Sequence, residues 1–173
     1  ENLLITALTL FLLQEFLIRQ LLLSVGLDFS VSNLNRCLFI VSILFIIAAG
    51  NCINDCMDVI ADAINRKNNR VIGVSISKQK GVRLYYSLSF IGIFLAIFPA
   101  YQLESVLFFL CFPIATFCLW KYSILWKRQP LKGNLVISVL TAIVIILSCC
   151  VTIGKICIQN DIVSTIIKIY ICF

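Results

Sequence analysis

Histidine is absent from the 173-residue chain. That removes every mechanism needing an imidazole base, a histidine-rich metal site or a Ser-His-Asp triad. Charge is also scarce: Asp, Glu, Lys and Arg make up 13% of the residues, about half the ~25% of an ordinary soluble domain. A chain this poor in charge cannot cover an aqueous surface. Nine cysteines are present, at Cys37, Cys52, Cys56, Cys111, Cys118, Cys149, Cys150, Cys157 and Cys172. They form an odd set without a CxxC pair, mostly inside apolar runs, and read as small buried hydrophobes, not as a disulfide framework or zinc site.

What remains is apolar. AVILMFWYC contributes 61% and mean hydropathy is +1.06. The apolar residues fall in runs of about 20, enough at ~1.5 Å per residue to cross a hydrocarbon layer of roughly 30 Å. The runs are too long, and the 13 Phe too many, for a cross-β or disordered chain. The expectation is an all-α, polytopic transmembrane helix bundle forming a single domain. Nothing resembles a cleavable signal peptide followed by a soluble domain.

Five spans are expected at about 3–24, 37–57, 84–100, 103–122 and 134–153. Gln14, Glu15, Arg19 and Gln20 interrupt the first at roughly one-turn spacing, so that one side faces protein or a cavity; two short interfacial pieces are the alternative. A tight turn is expected near Pro99-Ala100-Tyr101, with Glu104 just inside the next span. The stretch 154–173 reads as the opening turns of a sixth helix left unfinished, or as an amphipathic surface helix.

Basic residues are placed asymmetrically. Of the 14 Lys and Arg, ten fall in two linkers: Arg66, Lys67, Arg70, Lys78, Lys80 and Arg83, then Lys121, Lys127, Arg128 and Lys132. Two spans separate these linkers, so they emerge on one face, which the positive-inside rule makes cytoplasmic. Linker 25–36 and the turn near Pro99 carry only Asp28 and Arg36. The net charge of +6 is thus an oriented distribution and no sign of nucleic-acid binding.

The informative segment closes the second span: Asn54, Asp58 and Asp62 recur at i, i+4 and i+8, with Asp55 beside them. On a helix they form one polar stripe directed at a common cavity. Carboxylates there are costly against lipid and raise one another's pKa, and a counter-cation relieves both costs. Oxygen-only donors suit a hard ion such as Mg²⁺, which keeps positions open for phosphate oxygens. The basic residues that follow can neutralise the rest of a diphosphate. Cys52 and Cys56 lie away from the stripe and are not expected to be ligands. A solvated helix end with a basic flank is the competing reading, but acids at a helix C-terminus oppose its dipole unless compensated.

Asn54, Asp55, Asp58 and Asp62 match an Asn-Asp-x-x-Asp-x-x-x-Asp element, and Asn65-Arg66, Val71-Ile72-Gly73 and Ile76-Ser77 resemble the loop that continues it. Tyr122-Ser123-Ile124-Leu125-Trp126-Lys127-Arg128 and Lys132-Gly133-Asn134 are similar to a second ordered segment of the same proteins. On these motifs the chain resembles the UbiA-type intramembrane prenyltransferases over nearly its whole length. The resemblance implies transfer of a prenyl group from an isoprenoid diphosphate to a lipophilic acceptor, aromatic or a glycerol-phosphate lipid, with Mg²⁺ as cofactor. It implies Asn54, Asp58 and Asp62 as metal ligands; Asn54, Arg66, Lys67 and Arg70 on the diphosphate; and Asp58, Asp62, Tyr122 and Lys127 as catalytic residues.

The family carries more helices and a second Asp-rich element. Here Trp126 replaces a common Leu, no Pro follows Asn65-Arg66, and the only acids after Asp62 are Glu104 and Asp161. The expectation is therefore the front part of such an enzyme, inactive by itself, in a bacterial or archaeal plasma membrane with loops 58–83 and 123–133 cytoplasmic. A multi-pass cation-binding or transport protein and a non-catalytic prenyl-diphosphate-binding paralogue are the alternative readings.

Overall fold

The computed structural model describes residues 2–24, 32–65 and 71–153. Helix α1 (Asn2–Leu12) runs through a π-helical stretch, Leu13–Ile18, into α2 (Arg19–Ser24). Then follow α3 (Asn33–Asn65), α4 (Lys78–Leu103), α5 (Val106–Ile124), a 3-10 turn (Trp126–Arg128) and α6 (Pro130–Ile153). Five of these helical rods are long and apolar enough to cross a membrane, the α1–α2 rod counting as one. Leu, Ile and Phe cover much of the outside, with Leu4, Phe90, Leu107 and Leu131 all strongly exposed. In water such a surface drives aggregation, whereas in a bilayer it is the solvated one. The protein is an integral membrane helix bundle.

Helix α3 is the central rod, packed by α1, α4, α5 and α6. Towards its N-terminal end, Phe39, Ile43 and Ile46 join Leu10, Ala96, Phe108, Phe112, Leu147 and Val151 in one buried cluster. A second cluster near its C-terminal end joins Ala49, Ile53 and Cys56 to Ile72 and Tyr85. Small residues let α3 and α4 approach closely. A Cβ added at Gly92 would lie 3.1 Å from the Ser42 carbonyl oxygen, and Ser42 Oγ donates to the Gly92 carbonyl at 2.6 Å. At Gly81 an added Cβ overlaps Cys56 Sγ and comes within 3.2 Å of Ile72 Cδ1. Gly81→Ala is therefore expected to cost about 1–3 kcal/mol by overpacking, read as a lowered melting temperature in detergent; an unchanged melting temperature shows that the helices part freely.

Several boundaries differ from the hydropathy reading. Helix α3 begins at Asn33 and ends at Asn65, so Arg36 is not a linker residue and 58–65 is helix, not loop. Arg36 is in fact 5% exposed. Lys78, Lys80 and Arg83 belong to the first turns of α4, Lys121 to the last turn of α5, and Lys132 to the start of α6. Hydropathy registers the hydrocarbon slab, whereas backbone hydrogen bonding carries a helix on through polar residues.

The expected turn at Pro99-Ala100-Tyr101 is helical, with Pro99 and Ala100 buried inside α4. The turn falls instead at Glu104, whose φ of 52° is left-handed and whose N–H donates to Ala100 and Tyr101 carbonyls, and at Ser105, whose Oγ accepts from Phe108 N–H as the N-cap of α5. Glu104 thus lies outside α5. A proline inside a transmembrane helix is tolerated where neighbouring groups satisfy the freed backbone. The expected sixth-helix stretch, 154–173, lies outside the described residues.

The first span is one rod interrupted by its π turn. That wider turn places consecutive residues inward: Gln14 is buried and Glu15 half-buried, while Arg19 and Gln20 remain exposed. Gln14 Nε2 donates to Ser148 Oγ of α6 at 3.1 Å. The Glu15 carboxylate meets Arg36 Nη1 at 2.6 Å and Arg19 Nη1 at 3.0 Å. At the same end of the bundle Asn35 Nδ2 donates to Gln102 Oε1, joining the starts of α3 and the end of α4.

Candidate functional site

The other end of the bundle holds the acidic stripe. After the 3-10 turn, Gln129 N–H donates to Trp126 O at 2.9 Å and Gly133 N–H to Gln129 O at 2.8 Å. This reverses the chain within a few residues. Gly133 is required by the close approach, since a Cβ there would stand 2.9 Å from the Trp126 carbonyl oxygen and 3.4 Å from Tyr122 Cε2. The compact reversal points Lys127 back across the end of α3. Its Nζ donates to Asn54 Oδ1 at 2.9 Å and forms an ion pair with the Asp58 carboxylate. Asn54 Nδ2 in turn donates to Asp58 Oδ2 at 3.1 Å. Each member of the triad thus contacts the other two, and the ammonium fixes which end of the Asn54 amide faces it.

Below the triad lies a cavity of about 440 Å³ between α3, α5 and α6, within the roughly 300–1,000 Å³ of small-molecule sites. Asn51, Asn54, Tyr122, Ser123 and Lys127 make its polar end. Ile43, Ile47, Ala115, Leu119, Leu140 and Val144 line the apolar depth. Gly50 also lines it, and a Cβ there would come 3.0 Å from Leu119 Cδ1.

The remaining residues singled out by sequence divide. Asp55 is exposed on the edge of the stripe. Asp62, one turn beyond Asp58, is half-buried; neither Asp58 nor Asp62 lines the cavity itself, and it is the bonds to Asn54 and Lys127 that tie Asp58 to its mouth. Arg66, Lys67 and Arg70 lie outside the described residues. Cys52 and Cys56 face the opposite way: Cys52 Sγ donates to the Gly81 carbonyl of α4 at 3.2 Å, so both thiols belong to the α3–α4 seam. Asn51 and Ser123 were not anticipated as cavity residues. Asn51 is three residues before Asn54, so extending the helical spacing backwards identifies it; Ser123 follows Tyr122 and carried no separate signal.

The described residues hold no cluster of three His, Cys, Asp or Glu side chains arranged for a metal ion. The donor pair present does fit a cation. Asn54 Oδ1 and an Asp58 oxygen converge on one point, and a lysine ammonium stands at it. Two protein oxygens suffice for an ion such as Mg²⁺ that fills its remaining positions with water and phosphate oxygens.

Comparison with known proteins identifies a family and a set of relatives. The UbiA prenyltransferase family matches residues 15–173. Similar relatives named digeranylgeranylglyceryl phosphate synthase occur in Korarchaeum cryptofilum (strain OPF8), 32% identical over 101 residues, and in Pyrococcus abyssi (strain GE5 / Orsay), 37% identical over 97 residues. A third, from Thermococcus sibiricus (strain DSM 12597 / MM 739), is 35% identical over 107 residues. These alignments cover 58%, 55% and 62% of this chain but only 34%, 32% and 36% of the relatives, so the chain matches about a third of their length. No solved structure matches. With the family match running from the first span through every described helix that follows, the chain belongs to the UbiA prenyltransferase family.

Proposed function

We propose that the chain carries the Mg²⁺–diphosphate half of a site that moves a prenyl group from an isoprenoid diphosphate to a glycerol-phosphate lipid. The observation that carries this reading is the polar triad of Asn54, Asp58 and Lys127, of which Asn54 and Lys127 line the mouth of an apolar cavity and Asp58 is bonded to both. The triad matches the head of a diphosphate substrate and the cavity its hydrocarbon tail. Among acceptors, glycerol phosphate is favoured over an aromatic ring by the names of the relatives.

Cleavage of the allylic C–O bond leaves a carbocation and releases diphosphate, so the tasks are to stabilise the departing anion and to exclude water. Bound Mg²⁺ would supply Lewis-acid stabilisation of the diphosphate oxygens. Asn54 and Asp58 are the ligands proposed to hold it, with Asp62 orienting from the next turn. Lys127 and Tyr122 face the leaving group from α5 and its turn, and Arg66, Lys67 and Arg70 neutralise further phosphate charge. Ile43, Leu119 and Leu140 hold the tail and keep water from the cation. None of these roles needs an imidazole.

A cytoplasmic side for this mouth is part of the proposal, supported by the positive-inside rule and by the basic residues Lys78, Lys80, Lys121, Lys127, Arg128 and Lys132 on the helix ends and turn at this end of the bundle. A transport path is disfavoured. The acid deep in another span, Glu15, is paired with Arg36 and Arg19, and both lie towards the far end of the bundle.

The test is transfer from a labelled isoprenoid diphosphate to a glycerol-phosphate lipid in membranes carrying the whole protein, with Mg²⁺ or with chelator. Mg²⁺-dependent product is expected, and its absence with every isoprenoid donor and acceptor overturns the proposal. Ala115→Trp, which fills the cavity from α5, is expected to lower transfer at least about tenfold by excluding the tail; an unaffected rate removes the cavity from the tail's path.

A further inference from the structure

We infer that Lys127 is an exchangeable counter-cation, occupying the metal position of the Asn54–Asp58 pair until a divalent ion arrives and then turning to the diphosphate. The inference rests on the proposed metal role of those two residues and adds a competition internal to the chain. Its basis is geometric. The ammonium stands where both donor oxygens converge, 2.9 Å from Asn54 Oδ1 and paired with Asp58. A second cation cannot share those oxygens at that point, because like charges a few ångströms apart repel strongly where solvent screening is incomplete.

The surroundings make the lysine movable and the turn fixed. The backbone of Trp126–Arg128 is held by hydrogen bonds on both sides and by the close approach of Gly133. The Lys127 side chain, by contrast, is 36% exposed and ends a flexible four-carbon stem. It also lines the cavity mouth, so the same ammonium reaches the place where a diphosphate would lie by rotating about its own side-chain bonds. The consequence is linkage: an anion that draws Lys127 away opens the Asn54–Asp58 pair, so that metal and diphosphate favour one another's binding. Without a diphosphate the site keeps a charge-balanced acid and does not hold metal tightly.

The test uses Mn²⁺ alone as probe, titrated into the whole protein in detergent or nanodiscs and followed by electron paramagnetic resonance. Lys127→Met is expected to bind Mn²⁺ about tenfold more tightly than the unaltered protein, because the competing charge is gone. Lys127→Arg keeps a cation and is expected to stay within a few-fold of the unaltered protein. Asp58→Asn is expected to lose the site in either background. As a measurement that needs no substitution, acylation of the Lys127 amine, followed by mass spectrometry, is expected to rise several-fold on adding Mg²⁺. Equal or weaker Mn²⁺ binding by Lys127→Met, or an acylation rate indifferent to Mg²⁺, overturns the exchange while leaving the metal role standing. If neither the unaltered protein nor Lys127→Met binds Mn²⁺ saturably, the exchange and the metal role are overturned together.

Discussion

Asp58→Asn is expected to abolish Mg²⁺-dependent prenyl transfer, lowering the rate by a factor on the order of 10²–10³ or more. The substitution is nearly isosteric. An Asn at this position still accepts a hydrogen bond from Asn54 Nδ2, which donates to Asp58 Oδ2 at 3.1 Å, and the half-buried site remains filled. What disappears is the negative charge, and with it both the attraction for a divalent ion and the ion pair with Lys127. Loss of transfer with an unchanged melting temperature assigns the effect to chemistry and not to folding. Excess Mg²⁺ should rescue little, because a neutral amide replaces one of the two oxygens that converge on the cation position. Retained activity at ordinary Mg²⁺ concentrations would remove Asp58 from the metal site and leave the proposed function without its anchor.

The second large effect concerns stability at the far end of the bundle. Glu15→Gln is expected to cost about 3–5 kcal/mol, the range for stripping one partner from a buried ion pair. Arg36 is 5% exposed, and its charge is balanced by Glu15 at 2.6 Å. Its Nη2 also donates to Asn33 Oδ1 at 2.7 Å, but an amide cannot neutralise a guanidinium. The cost appears in equilibrium unfolding from a mixed-micelle or bicelle state. A paired change, Glu15→Gln with Arg36→Met, should recover most of it, because the buried guanidinium is then removed together with its carboxylate. A single-variant loss below about 1 kcal/mol would mean that Arg36 finds solvent or other partners when Glu15 is neutral.

Composition and spacing were enough for much of this. Apolar runs of about 20 residues leave a helix bundle in a bilayer as the economical solution, because each backbone N–H and C=O must be bonded within the segment. The i, i+4 spacing of Asn54 and Asp58 places them on one helical face whatever the helix packs against, and Cys52 and Cys56 fall on another by the same arithmetic. Tyr122 and Lys127 came from family resemblance, since nothing in their local sequence tells which distant residue they meet.

Helix ends were harder to read. The continuation of α3 past Met57 to Asn65 and the passage of α4 through Pro99 to Leu103 depend on backbone hydrogen bonds and neighbouring packing. Hydropathy measures neither. Arg36 shows the same limit. A lone basic residue near the edge of an apolar run reads as a linker charge, and only the π turn that brings Glu15 inward reveals it as half of an interhelical pair.

The sequence by itself determined that this is an all-helical membrane protein with an acidic stripe, because periodicity and transfer free energy act locally along the chain. The tertiary structure alone decided that Lys127, 69 residues from Asp58, closes over that stripe, and that α3, α5 and α6 leave an apolar cavity beneath it. Those facts depend on how rods cross and how closely a turn such as Trp126–Gly133 can fold, which are properties of packing between segments and are not encoded at any single position.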